Sequence, residues 1–129
     1  MRVGLSPALP GRSPERGMVT VETALALTAL AVVTVGMAWV VSVVGAQARC
    51  VDAARDTARA VARGETLSAS RAEGMRSAPE GSRIAIQVED GLATVRVRVA
   101  ARPPWQVLSG VPGIEVTGQA AVVLEPGSP

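Results

Sequence analysis

The chain has 129 residues and a formal charge of +2, with no His, Phe or Tyr, two Trp and one Cys. A lone cysteine excludes an intrachain disulfide, and the absence of His removes the usual zinc sets and the Ser-His-Asp and Cys-His catalytic sets. All 13 basic residues are Arg, interspersed with Asp and Glu and almost without aromatic neighbours, so the clustered basic and stacking surface of a nucleic-acid-binding protein is missing.

No Gly-rich phosphate loop and no paired-carboxylate spacing stands out. Nothing in the sequence points to an enzyme, a cofactor or a small-molecule substrate. Nearly half of the residues are hydrophobic, but Ala and Val supply most of that content and much of it lies in one block. The part outside that block is therefore expected to have a thin core of small side chains.

Residues 1–17, "MRVGLSPALPGRSPERG", are rich in Pro and Gly and set Arg2, Arg12 and Arg16 against Glu15. They read as a flexible basic leader without regular helix. Residues 23–48 carry no charge. As a helix they would span about 39 Å, more than the roughly 30 Å of a bilayer's hydrocarbon core, and a transmembrane helix is assigned to 18–48. The apolar stretch exceeds the roughly 7–15 residues of a signal-peptide core. "AQA" at 46–48 nevertheless resembles a small-residue cleavage site and keeps open a module secreted after Ala48. Trp39 reads as an anchor at the outer interface. Gly36, Ser42 and Gly45, with Ala38 and Ala46, read as a line of small residues suited to close helix packing.

The helical pattern continues beyond the span. Cys50, Val51, Ala54, Ala58, Val61 and Ala62 follow the spacing of one apolar face, and Arg49, Asp52, Asp56, Arg59 and Arg63 fall mostly on the other. Arg49–Asp52 and Asp56–Arg59 are expected ion pairs across one turn. Gly64 follows an Arg-rich last turn as a natural helix terminator. One helix is expected from about Val19 to Arg63, with 49–64 as its amphipathic extension. Cys50 reads as a small buried residue, and an unpaired cysteine in an oxidising exterior also leaves an intermolecular disulfide open.

Residues 65–129 form the expected α+β head. A short helix begins near Thr66 or Ser68 and is ended by Pro79 and Gly81. In "RIAIQVEDGLATVRVRVAAR" the apolar residues alternate. Ile84, Ile86 and Val88 share one face, as do Val95, Val97 and Val99, and Asp90-Gly91 marks a tight hairpin turn. Pro103-Pro104 breaks the second strand, and 114–125 supplies a third, with Ile114, Val116, Val122 and Leu124 in phase. The fold class is α+β, a long N-terminal helix followed by a small three-stranded antiparallel sheet. Arg96 and Arg98, pointing away from the apolar face, are expected to guard a sheet edge.

The Arg excess of the leader places it in the cytoplasm and the head outside the cytoplasmic membrane. Glu22 then stands at the entrance of the span. An ionised group costs about 2.5–3.5 kcal/mol at mid-membrane and less at the edge, so Glu22 either marks the interface or has a function there. Gly17 followed by Glu22, at the head of "RGMVTVETALALTALAVVTVGMAWVVSVVGAQARCVDAARDTARAVARGE", resembles the leader-cleavage motif of type IV prepilins. The run over residues 16–65 looks like the TadE-like family of tight-adherence (Flp) pilus minor pilins, in its actinobacterial form. Thr23 stands where classical pilins often have Phe or Tyr, and Thr28 near where TadE-like chains often have Pro.

The resemblance implies cleavage between Gly17 and Met18 by a membrane prepilin peptidase. It also implies partnership with other pilin subunits and with pilus assembly machinery driven by a cytoplasmic ATPase, and a part in pilus biogenesis or adhesion. Cleavage would place a new α-amino group on Met18, one helical turn from Glu22. Two complementary charges in lipid fix register, because a slipped register leaves one of them uncompensated. The rival readings are an uncleaved single-pass envelope protein and the secreted binding module.

Overall fold

The computed structural model describes residues 4, 7, 11, 14–103, 105, 110 and 112–126. Most of the expected leader, Pro104 and residues 127–129 lie outside the described residues. The elements in chain order are α1 (Pro14–Ala62), α2 (Leu67–Ser77), β1 (Arg83–Glu89), β2 (Leu92–Ala101) and β3 (Ile114–Val123). The fold is α+β, with a long apolar N-terminal helix and a three-stranded antiparallel sheet. Two compact units divide it, Met1–Met37 and Ala38–Pro129.

In the first unit α1 begins at Pro14, earlier than the expected Val19 and inside the segment read as irregular. Proline suits the first helical position, where its missing N–H would have no partner and its fixed φ is already helical. Glu15 in the first turn meets the positive end of the helix dipole. Every residue from Glu15 to Ala38 is exposed, including Leu25, Leu27 and Leu30. The helix is long and apolar enough to cross a membrane, and none of its most apolar stretch is buried within the chain.

Four threonines interrupt that apolar surface without leaving a free hydroxyl. Thr20, Thr23, Thr28 and Thr34 each donate to the carbonyl four residues back, those of Arg16, Val19, Ala24 and Leu30, at 2.8–3.0 Å. Such back-bonding satisfies the side chain inside the helix itself, which is what a segment without access to water requires.

In the second unit the rest of α1, α2 and the sheet share one core. α1 ends as its sequence foretells. Gly64 takes φ 81°, its N–H reaches the Val61 carbonyl at 3.0 Å, and the Glu65 N–H reaches that of Ala60 at 3.2 Å. This paired terminus satisfies carbonyls that the last turn would leave free. α2 is capped by Thr66, whose side-chain oxygen accepts from the Ala69 N–H at 3.2 Å, and stops before Pro79. The chain then turns through Gly81, at φ 79°.

The sheet order is β1-β2-β3, with both pairings antiparallel. Glu89 pairs with Leu92, leaving Asp90 and Gly91 as a two-residue loop with φ of 51° and 76°. Positive φ at both positions is what the hairpin-compatible mirror-image turn demands. β2 is the central strand, so the expected role of Arg96 and Arg98 as edge guards is corrected: they stand mid-sheet on the outer face. The inner face buries Ala93, Val95, Val97 and Val99 of β2, Ile84 of β1 and Val116 of β3. Fully burying a valine is worth about 1.5–3 kcal/mol, and Val95 and Val97 are the largest fully buried side chains.

Facing them on α1 are Cys50, Ala53, Ala54, Ala58 and the partly buried Val43. Sheet packing therefore reaches Val43, inside the stretch 18–48 assigned to the membrane. The ion pairs on the outer side of α1 are Arg55–Asp52 at 3.9 Å and Arg59–Asp56 at 4.0 Å. The expected Arg49–Asp52 pair is thus replaced by its neighbour one turn onward.

Candidate functional site

Two glycines determine how closely α1 seats on its partners. A β-carbon on Gly118 of β3 would overlap the backbone of Cys50 and Val51. One on Gly74 of α2 would overlap the Thr57 hydroxyl and lie 2.9 Å from the Ala53 carbonyl oxygen. Helix backbone thus rests on strand backbone at one point and on α2 at another. The neighbouring alanines permit this, since a larger side chain there would hold the elements apart. Gln47 Nε2 donates to the Thr117 carbonyl at 2.8 Å, and Ser77 Oγ donates to Asp56 Oδ2 at 2.9 Å. Arg71 Nε donates to the Ile84 carbonyl at 3.3 Å. These bonds tie α1 to β3, α2 to α1, and α2 to β1.

Sequence reasoning missed Gly118 and Gly74. The available signal was an isolated glycine inside an otherwise regular strand, which marks a close backbone approach.

Cys50 lies in this seat with no exposed surface. Its burial speaks against the intermolecular disulfide, because the sulfur is closed to a partner's thiol. Burial also pushes the thiol's pKa up, with the nearby Arg49 charge acting in the opposite direction. The folded chain thus keeps the thiol neutral to higher pH than the unfolded chain does. The resulting stability is complete below the thiol's unfolded-state pKa and is lost as pH rises through the raised folded value. In the full chain in neutral detergent, an alkylating reagent is expected to label Cys50 only after denaturation. Labelling at the rate of a free thiol would contradict this packing.

The residues at the N-terminal end of α1 are arranged differently. Gly17, Met18 and Glu22 are all helical and exposed. Met18 and Glu22 stand four residues apart, which places them on the same side of the helix. The Gly17–Met18 peptide lies inside α1, so a peptidase acting there must first unwind the opening turns from Pro14. Gly17 eases this, since glycine costs a helix about 1 kcal/mol relative to alanine.

The small residues do not form one line. At about 100° per residue, Gly36 and Gly45 point to opposite sides of α1, whereas Ala38, Ser42 and Ala46 recur every four residues. A β-carbon on Gly36 or Gly45 would meet nothing within 4 Å, so no packing inside this chain requires glycine at either place. Trp39 is half-buried, and its enclosed indole N–H has no hydrogen-bond partner among the described residues. Among the described residues, no group of three or more Cys, Asp or Glu is placed to hold a metal ion.

No curated protein and no solved structure matches the chain. The family model for TadE-like proteins matches residues 17–59, from the glycine before Met18, through the apolar helix and Glu22, to the face of α1 that seats on the sheet. Over that segment, a third of its length, the chain is similar to TadE-like proteins.

Proposed function

We propose that the chain is a minor pilin of a tight-adherence pilus system, matured by removal of residues 1–17. The similarity of residues 17–59 to TadE-like proteins supports a protein associated with the Tad pilus. The observation that carries the finer reading is Glu22, an exposed carboxylate one helical turn from Met18 at the head of an apolar helix. Cleavage after Gly17 converts Met18 into an ammonium group beside that carboxylate. The pair is then available within one subunit or between neighbours. The threonines that bond back to their own helix suit α1 to lipid and, after extraction, to a bundle of similar helices.

In this reading residues 18–42 cross the cytoplasmic membrane. The basic leader stays inside, and the α+β unit is displayed outside for pilus biogenesis or adhesion. Prepilin peptidase, other pilin subunits and the assembly machinery are the partners. Protease treatment of spheroplasts tests the arrangement. A tag after Pro129 is expected to be digested from outside while the chain stays in the membrane fraction. A protected tag would reverse the orientation, and a form in the medium lacking residues 1–48 would favour the secreted module.

A further inference from the structure

The outer face of the sheet carries an unbalanced group of guanidinium side chains. Arg83 of β1 is directly opposite Arg98 of β2, and Arg96 lies two residues along β2 on the same face, opposite Ala85. Like charges placed directly across a strand pair destabilise a sheet, and here they are arranged around a recess. A shallow concavity of about 270 Å³ is lined by Arg83, Arg96 and Arg98, with Ala85, Gln87 and Thr94. Ala85 keeps its floor low, and Gln87 and Thr94 add neutral hydrogen-bonding groups. Among the described residues, the carboxylate paired with any of the three arginines is Glu115, 3.9 Å from Arg98 on an exposed side chain. Arg96 is half-buried, which reduces its hydration and strengthens its interaction with an anion.

We propose that this recess, which the orientation proposed above places outside the cytoplasmic membrane, binds phosphate groups along a poly(glycerol phosphate) chain. Arginine forks match phosphate oxygens two bonds at a time, and three of them on one face of adjacent strands suit neighbouring phosphates along a chain. The bound polymer neutralises the Arg83–Arg98 opposition that the fold leaves standing. This site is separate from Gly17, Met18 and Glu22 and does not depend on leader cleavage.

The test is binding of poly(glycerol phosphate) to the full chain in neutral detergent, with dextran of similar length as the uncharged probe. The wild-type chain is expected to bind the phosphate polymer and not dextran, with affinity falling as salt rises, as counterion release requires. Arg96→Gln is expected to weaken binding at least about tenfold and to flatten the salt dependence. The Arg83→Lys/Arg98→Lys variant, which keeps the charge, is expected to weaken it less than the corresponding double Gln variant but measurably. Arg55→Gln/Arg59→Gln, on the outer side of α1, removes two charges elsewhere and is expected to leave binding unchanged. The proposal is overturned if the wild-type chain does not bind. It is equally overturned if the α1 variant loses as much affinity as the sheet variants, since attraction would then be general charge rather than a site. Unchanged unfolding midpoints for all variants keep misfolding out of the comparison.

Discussion

Gly118→Ala is expected to destabilise the unit from Ala38 to Pro129 by about 3 kcal/mol, at the upper end of what overpacking costs. The new methyl group meets helix backbone, that of Cys50 and Val51 on α1. No rotamer change can make room, so the helix must lift off the sheet. Lifting it exposes Cys50, Ala53 and Ala54, now fully buried, and strains the Gln47 bond to Thr117. Urea unfolding of the full chain in neutral detergent measures the loss, and the rate of Cys50 alkylation should rise in parallel. A variant as stable as the wild type, with Cys50 still protected, would mean that the close seat of helix on strand is wrong. Gly36→Ala is the matched control: its β-carbon has open space around it and alanine favours a helix, so this change should not weaken the fold.

Glu22→Ala is expected to leave membrane insertion intact and to reduce incorporation into the assembled structure at least about tenfold. Removing a carboxylate from an apolar helix makes insertion easier, so a loss at that step is not anticipated. The effect falls on joining of subunits. An ammonium group on Met18 deprived of its partner in a low-dielectric bundle costs on the order of 3–5 kcal/mol, enough to abolish preference for the correct register. Glu22→Asp, which keeps the charge but shortens its reach, should fall between the two. Quantifying the subunit in sheared surface material against the membrane fraction reads the result. Incorporation of Glu22→Ala at the wild-type level would refute a paired-charge device.

Much of this fold could be read along the chain, because its strongest signals are local. Gly64 after an Arg-rich turn and Asp90-Gly91 between alternating strands each specify a backbone conformation that few other residues adopt, and both are found where the sequence places them. The alternation of Val95, Val97 and Val99 identifies a buried face for the same reason. The start of α1 was legible too, in Pro14-Glu15, but the weight of Pro and Gly across residues 1–17 obscured it.

Other features have no local signature. Gly118 looks like a weak point in a strand until Cys50 is brought against it from far away in sequence. The central place of β2 depends on which neighbours pair with it, so Arg96 and Arg98 gave the right face and the wrong position. The choice of Arg55 over Arg49 as partner for Asp52 turns on side-chain reach within a single helical turn, where the two alternatives have equal spacing. At the candidate site, the placement of Met18 and Glu22 one turn apart on one helix was legible, because it depends only on spacing along the chain. The guanidinium recess was not, because it is assembled from two strands in register.

The central claim is that a new amino terminus at Met18 faces Glu22 on the same helix. Determining the first residue of the chain recovered from native membranes and surface material, by mass and terminal sequencing, tests it most directly. The account predicts a chain that begins at Met18 in the assembled form. A functional, assembled chain that still carries residues 1–17 would contradict it.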